Sequence, residues 1–334
     1  LIERTLMKFV TYIEKGRDSH RFGFIKDEMV VDVLRAAIYI HESSGSSEFL
    51  SIPSSLKSCL KNWNTLLPAL QNLDRALPDS GLTELLGGEH LIAQNQPDVK
   101  FLPPVNDPAT FRDFYVFEQH VKAARKGRGL DMHPSWYEFP VFYYSNPVNL
   151  FGHKEGFPFP NGCEKLDFEL ELAIITANGG KDISAKDADT VIGGYTILND
   201  WSARDFQKEE MVLNMGPAKG KDFGSCFGPY MVTPDELADA WDSDGKLQLS
   251  MTVHVNGKQL SDGNANDMYH SWGDIIERAS RNTQIVAGEY IGSGTVGTGC
   301  IMELKPENTG GWIQKGDVVR LEIERLGVLE NKVI

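Results

Sequence analysis

Leu166-Asp167-Phe168-Glu169-Leu170-Glu171-Leu172-Ala173-Ile174-Ile175 is the stretch on which the reading of this chain turns. Apolar and acidic residues alternate there, the period-two pattern of a β-strand, expected over Phe168–Ile175. Side chains on a strand repeat every second residue, so Glu169 and Glu171 point one way. Leu170 and Leu172 point the other way, into a core. Neighbouring carboxylates repel unless water screens them or a cation sits between them. The pattern alone fits either a solvated acidic face or a pair of hard oxygen ligands for Mg²⁺, Ca²⁺ or Mn²⁺.

On the C-terminal side, short β-rich runs alternate with Gly and Pro turns, as in Gly193–Leu198, Leu247–Val255 and Val318–Ile323. Helices are expected over Thr110–Arg125 and over Ser271–Ser280, where Ile275, Ile276 and Ala279 share a face. On the N-terminal side, Lys8–Tyr12, Arg21–Ile25 and Met29–Val33 read as strands. Residues 34–91 read as mostly helical, with Leu66, Leu67, Leu70, Leu73 and Leu77 at helical spacing ahead of Pro78-Asp79-Ser80-Gly81. Leu102-Pro103-Pro104-Val105, after the polar Gln94-Asn95-Gln96-Pro97, reads as a linker dividing the chain into 7–105 and 106–334. The fold class is therefore α+β, mainly β: a coiled-sheet or barrel-like C-terminal domain with a smaller N-terminal mixed β/α domain.

Net charge is −14, from 33 basic and 47 acidic side chains. That argues against nucleic acid or an anionic membrane as the main partner, and requires a local basic pocket for any anionic substrate. Cys59, Cys163, Cys226 and Cys300 lack CxxC or CxH spacing, so their pattern fits neither a zinc site nor a disulfide framework and suggests a reducing cytosol. No apolar run reaches membrane-spanning length. Residues 1–6 precede Met7, the expected start, and read as an upstream remnant.

Four further constellations carry chemistry. Asn199-Asp200-Trp201-Ser202-Ala203-Arg204-Asp205 follows the apolar run Tyr195-Thr196-Ile197-Leu198, placing an acid at a strand end where it serves as a ligand or as a helix cap. Asp113 and His120 lie seven residues apart on the expected Thr110–Arg125 helix, two turns along one face, where a histidine paired with a carboxylate is a general-base candidate. Gly216–Ser225 is rich in Gly and Lys without Walker spacing, a basic turn able to bring Lys221 close to a substrate oxygen. Ile291–Gly299 reads as a glycine-rich loop able to form a nest for an anion. The following Cys300–Leu304 reads as a strand presenting Glu303 beside it.

In this order the motifs resemble the fumarylacetoacetate hydrolase family over roughly residues 106–334, and the Asp113/His120 segment with its N-terminal extension resembles the fumarylacetoacetase branch. The signature comprises Asp113-Phe114-Tyr115 with His120, Glu169-Leu170-Glu171, Asn199–Asp205 with Gln207, Lys221-Asp222-Phe223-Gly224, Gly294-Thr295 and Glu303. The resemblance implies a Mg²⁺ or Ca²⁺ site (Mn²⁺ being a further option) built by Asp113, Glu169, Glu171 and Asp200, with Lys221, Gly224 and Ser225 beside it. Ser225 stands where the family usually has threonine. The resemblance further implies His120 as base, Glu303 as the carboxylate that orients it, and Lys221 and Gln207 as oxyanion donors. Tyr115, Tyr143, Gln207, Thr295 and an arginine, Arg128 in preference to Arg125, would bind substrate. The implied reaction is metal-dependent hydrolysis of a C–C bond in a β-diketone acid, fumarylacetoacetate to fumarate and acetoacetate in tyrosine catabolism, by a cytoplasmic homodimer acting on a small dicarboxylic substrate. Tyr144-Ser145-Asn146-Pro147 departs from the fumarylacetoacetase pattern. The alternatives are acylpyruvate hydrolysis, oxaloacetate decarboxylation, or non-catalytic binding of a metal or small acid.

Overall fold

A computed structural model describes residues 7–79, 81, 82 and 92–334. Among them, twelve strands join one sheet. Ten of them run in the order Ala93–Asn95, Met29–Asp32, His20–Lys26, Lys8–Glu14, Ser225–Val232, Ile192–Asn199, Leu170–Thr176, Tyr290–Thr295, Phe111–Phe114, Phe142–Ser145, while Val99–Leu102 pairs with Lys8–Glu14 and Leu150–Phe151 with Ser225–Val232. The sheet is open rather than closed into a barrel, and with its helices it makes the chain α+β and strand-rich, as expected. A second sheet of four antiparallel strands holds Ser250–Val255, Lys258–Asn264, Val318–Ile323 and Gly327–Lys332.

Both faces of the large sheet are covered, which is why Leu170–Thr176 is buried along its whole length. Alternation sorts its side chains. Leu170, Leu172 and Ile174 join a core with Ile197, Met251 and Leu321. Ala173 and Ile175 join another with Phe111, Leu198, Phe227 and Tyr290 and with Leu60, Leu70 and Leu73 from the N-terminal helices. That second face also carries the acids: Glu171 shares parity with Ala173, and Asp113 with Phe111. The apolar rows of one sheet face thus run on, at one end, into a row of carboxylates.

Several expectations need correction. Thr110–Arg125 is not one helix: Phe111–Phe114 is a strand, and the helix is Glu118–Gly127. The aromatic run Phe111-Arg112-Asp113-Phe114 favours a pleated, doubly packed position, so Asp113 and His120 do not share a helix face. Residues 291–299 are not all loop, since Tyr290–Thr295 is a buried central strand. Ile301–Leu304 is one helical turn, not a strand, because Asp167 accepts hydrogen bonds from the Ile301 and Met302 N–H groups at 2.7 and 3.0 Å.

Within residues 34–91 the helices are Val33–Ser44, Leu56–Leu60 and Trp63–Ala76. Leu70 and Leu73 are buried on the last of these, and Leu77 follows its end. Ser80 and the part of that reading over 83–91 lie outside the described residues. Ala93–Asn95 and Val99–Leu102 are strands leading into the expected linker Leu102–Val105, of which only Leu102 is in a strand, and Lys8–Glu14 pairs with Ser225–Val232, so the large sheet takes strands from both sides of it. Trp272–Ser280 is helical as expected, opened by a Ser271–Asp274 capping box.

Candidate functional site

Three adjacent strands set the acids. Tyr290–Thr295 lies between Leu170–Thr176 and Phe111–Phe114, with Gly292 opposite Ala173 on one side and Asp113 on the other. Any side chain at 292 would fill the space the acids need: a β-carbon there would run into Asp113 Oδ1 and lie 3.0 Å from Glu171 Oε2. Glycine on the middle strand lets acids on its two neighbours meet across it. Asp200 follows Ile192–Asn199, the strand on the far side of Leu170–Thr176.

Asp113, Glu171 and Asp200 bring ligand oxygens within 4.8 Å of one another, and all three residues are buried. Asp113 Oδ1 has no hydrogen-bond partner. Burial, reinforced by the Asp200 carboxylate, pushes the Asp113 carboxyl up to about 8. Burial and the Asp113 carboxylate likewise push Glu171 well above the usual carboxylate range. Three buried acids with an orphaned oxygen form an all-oxygen donor set with a charge deficit, which a hard divalent cation fits. The solvated-face reading is thereby set aside.

Glu169 sits differently. Its Oε2 accepts from Lys221 Nζ, its Oε1 accepts from Arg204 at 2.7 Å, and its backbone N–H donates to Asn199 Oδ1 at 3.0 Å. Burial would raise its carboxyl, yet Lys221 and Arg204 hold it well below the usual range. Asp200 is surrounded by donors: Lys221, the Tyr143 hydroxyl, and Ser225 Oγ at 3.0 Å. Gly224 packs against Phe151 and Phe157, where a β-carbon would clash. Thr295 Oγ1 donates to Glu171 Oε1 at 3.3 Å and the Gly294 N–H donates to Glu171 Oε2 at 3.0 Å, so this stretch cradles a protein carboxylate.

The basic side of the site rests on short helices. His120, buried on Glu118–Gly127, brings Nδ1 to 3.2 Å from Glu303 Oε2 on the single turn Ile301–Leu304. A carboxylate only accepts, so Nδ1 carries a proton, and in the neutral imidazole the lone pair is then on Nε2. That Nε2 lies 3.9 Å from Glu169 Oε1, so the helix-borne histidine reaches the acid just ahead of the strand Leu170–Thr176. Gln119 donates to Glu303 Oε1 at 3.0 Å and fixes the carboxylate from behind. The Tyr115 ring meets His120 edge-on at 5.6 Å. Burial pushes its phenol up to about 12 against the pull of Arg128, whose charge reaches it. Arg125 instead donates to the Asp131 carbonyl at 2.5 Å. Gln207, on Arg204–Met211, accepts from Arg204 at 3.1 Å.

Two residues were given no role in the sequence reading. Arg204 joins Glu169, Gln207 and Asp167. Asp167, fully buried, accepts from Arg204 Nε at 2.8 Å as well as from the turn that carries Glu303. A signal was available, since Asp167 continues the Glu169/Glu171 alternation by one more step.

The family profile described as fumarylacetoacetate (FAA) hydrolase, C-terminal, matches residues 109–334. "Oxaloacetate tautomerase FAHD2A, mitochondrial" of Homo sapiens is 31% identical over 195 residues, covering 58% of this chain and 59% of that protein's length. "Oxaloacetate tautomerase Fahd2a, mitochondrial" of Rattus norvegicus is 28% identical over 302 residues, covering 85% of this chain and 87% of that one. Among solved structures, a fumarylacetoacetate hydrolase from psychrophilic Exiguobacterium antarcticum superposes with a TM-score of 0.68 at 24% identity, covering 98% and 99% of the two chains, a likeness of fold. The two curated relatives are named tautomerases, not fumarylacetoacetases, and are named mitochondrial, whereas the cysteine usage here suggested a cytosol. The specific fumarylacetoacetase resemblance therefore gives way to a broader one, carried by a profile match over more than half the sequence: the chain belongs to the fumarylacetoacetate hydrolase family.

Proposed function

We propose that this enzyme moves a proton at the carbon between the carbonyl groups of a small 2-oxo dicarboxylic acid, interconverting enol and keto forms of an oxaloacetate-type substrate. The observation that carries the reading is the buried His120–Glu303 pair facing the acids on one sheet face. Oxaloacetate tautomerases among the relatives support the substrate class. Asp113, Glu171 and Asp200, with Glu169 at their margin, would hold a divalent cation. Bound there, a divalent cation would supply Lewis acidity, which makes a carbon next to a carbonyl more acidic. In the enol direction His120 Nε2 takes the proton from carbon and the enolate oxygen takes up a proton; in the keto direction the enol oxygen gives up its proton and His120 delivers one to carbon, while Glu303 keeps the imidazole in the required tautomer. Lys221, Arg204 and Gln207 place donors beside the developing enolate oxygen. Arg128, exposed at the end of its helix, is the arginine assigned to the distal carboxylate.

Hydrolytic C–C cleavage of a 1,3-dicarbonyl acid such as fumarylacetoacetate is the second reading. The same pair favours it, since a base fixed by a carboxylate also deprotonates water. With it would go a four-carboxylate cage of Asp113, Glu169, Glu171 and Asp200, domains 7–105 and 106–334, and a homodimer. Incubating the protein and Mg²⁺ or Mn²⁺ with enol-oxaloacetate, an acylpyruvate and fumarylacetoacetate separates the readings. Faster loss of enol absorbance with no change in total oxaloacetate supports tautomerisation, cleavage products support hydrolysis, and decarboxylation gives pyruvate. An enol decay unchanged from the protein-free rate sinks the first reading.

A further inference from the structure

Cys300 lies beside the base pair and no step above uses it. Cys300 Sγ is 3.8 Å from His120 Nδ1, the atom that is itself 3.2 Å from Glu303 Oε2. The three ligand atoms all lie within 4.8 Å of one another. Sequence spacing could not show this set, because it joins one histidine to a cysteine and a glutamate across 180 residues of chain. Cys300-Ile301-Met302-Glu303 places sulfur and carboxylate three residues apart on one short turn, facing the same helix.

The distances match a known coordination geometry. A tetrahedral Zn²⁺ with bonds of about 2.3 Å to sulfur and about 2.0–2.1 Å to nitrogen and oxygen separates sulfur from nitrogen by about 3.6 Å and nitrogen from oxygen by about 3.3 Å. The protein already holds both separations within about 0.2 Å of those values. Gln119 fixes the carboxylate from behind, as the outer partners of metal ligands do. The donor chemistry also differs from that of the strand-borne acids: three carboxylates suit Mg²⁺, Mn²⁺ or Ca²⁺, whereas a thiolate, imidazole and carboxylate suit Zn²⁺ or Co²⁺.

We propose that His120, Cys300 and Glu303 form a second, inhibitory site for Zn²⁺-type cations, with the fourth position open to water. Binding releases the Cys300 thiol proton to solvent and places the metal on Nδ1. The neutral imidazole then carries its proton on Nε2, so the lone pair that accepts the substrate proton is lost. The site itself rests on geometry alone; its inhibitory consequence rests on the base role assigned to His120.

Cobalt titration of the Mg²⁺-loaded protein tests the site without turnover. Co²⁺ should produce a near-ultraviolet thiolate-to-cobalt charge-transfer band that disappears in Cys300→Ser and in Cys300→Ala, two variants of different bulk that guard against a folding artefact. No band in the native protein, or a band that survives in either folded variant, overturns the site. Disturbing groups behind a ligand costs about 10–100-fold in affinity, so losing the thiolate should raise the Zn²⁺ inhibition constant at least about tenfold. Equal inhibition of native and variant enzymes overturns the inhibitory role. If no substrate above is turned over, the functional reading falls while the cobalt spectrum still decides the site.

Discussion

The acid half and the base half of this site are built by different means. Asp113 and Glu171 sit on strands paired to either side of the strand that carries Gly292, in register at Asp113 and with a bulge between Glu171 and Ala173, and Asp200 lies one residue past the end of another strand. His120 and Glu303 sit on short helices, and the turn bearing Glu303 is pinned by hydrogen bonds to the single side chain Asp167. A sheet transmits position through many backbone bonds, so its side chains are insensitive to the loss of any one contact. The helical half depends on a few side-chain bonds, each of which is a point of failure. The two halves meet at Glu169, 3.9 Å from His120.

The largest separation between the halves should come from His120→Ala. Removing a positioned base costs about 10²–10⁴-fold in kcat. Metal affinity, measured by calorimetry, should stay at the native value, and a parallel loss of metal would show that the halves are not separable. The reverse experiment is Gly292→Ala, which replaces neither the histidine nor a ligand. Its methyl intrudes on Asp113 and Glu171, and should weaken metal binding by about 10–100-fold, the range seen when supporting groups are disturbed. Saturating metal should restore most of the turnover. Native affinity in this variant would remove the strand-borne acids as the metal centre.

Asp167→Asn probes the link between the halves. It withdraws the charge that holds Arg204 and weakens the anchor of the Glu303 turn. One charged hydrogen bond is worth about 1.5–3 kcal/mol, so kcat should fall by at least about tenfold, with a smaller change in metal affinity. A matched loss of both would mean that Asp167 serves the whole site rather than its base side.

The same contrast explains what could be read from sequence. Period-two alternation is local, and it placed Glu169, Glu171 and the paired leucines without reference to the rest of the chain. Asp200 was legible because a polar cluster closes an apolar run. Helix against strand is not legible in short segments: four residues, as in Phe111–Phe114 and Ile301–Leu304, are too few to display a period of about 3.6 or 2. The turn at 301 exists because a carboxylate 134 residues earlier in the chain caps it, information that no local window holds. Gly292 was read as loop chemistry, although its role is to be absent between two acids. Arg204 lay inside a motif already singled out, but its partners became visible only in three dimensions.

The smallest expected effect on the reaction lies away from both halves, at His153, and tests whether acid sensitivity originates at the site or in the scaffold. Burial, with the nearby charges of Lys154 and Arg320, pushes the His153 imidazole down from its ordinary 6.5 to about 4. Its Nδ1 accepts the Glu330 N–H at 3.2 Å, so the folded protein prefers it unprotonated. Between those two values the unfolded chain binds more protons than the folded one, so stability rises with pH across this window and is lost as pH falls through it. Above pH 6.5 His153 is neutral in both states and contributes nothing to the slope; below about 4 it is charged in both and the loss stops growing. In His153→Asn an amide oxygen replaces Nδ1 as acceptor without titrating. The stability difference between native protein and variant, from denaturant midpoints, should be flat above pH 6.5 and should shift against the native protein by at most about 1.4 kcal/mol per pH unit as the solution is acidified. Turnover at neutral pH should be unchanged. A difference that stays flat down to pH 4 would move any acid sensitivity of this protein away from the scaffold and onto Glu169, whose carboxyl is held below its usual range, since the raised Asp113 and Glu171 carboxyls act in the opposite direction.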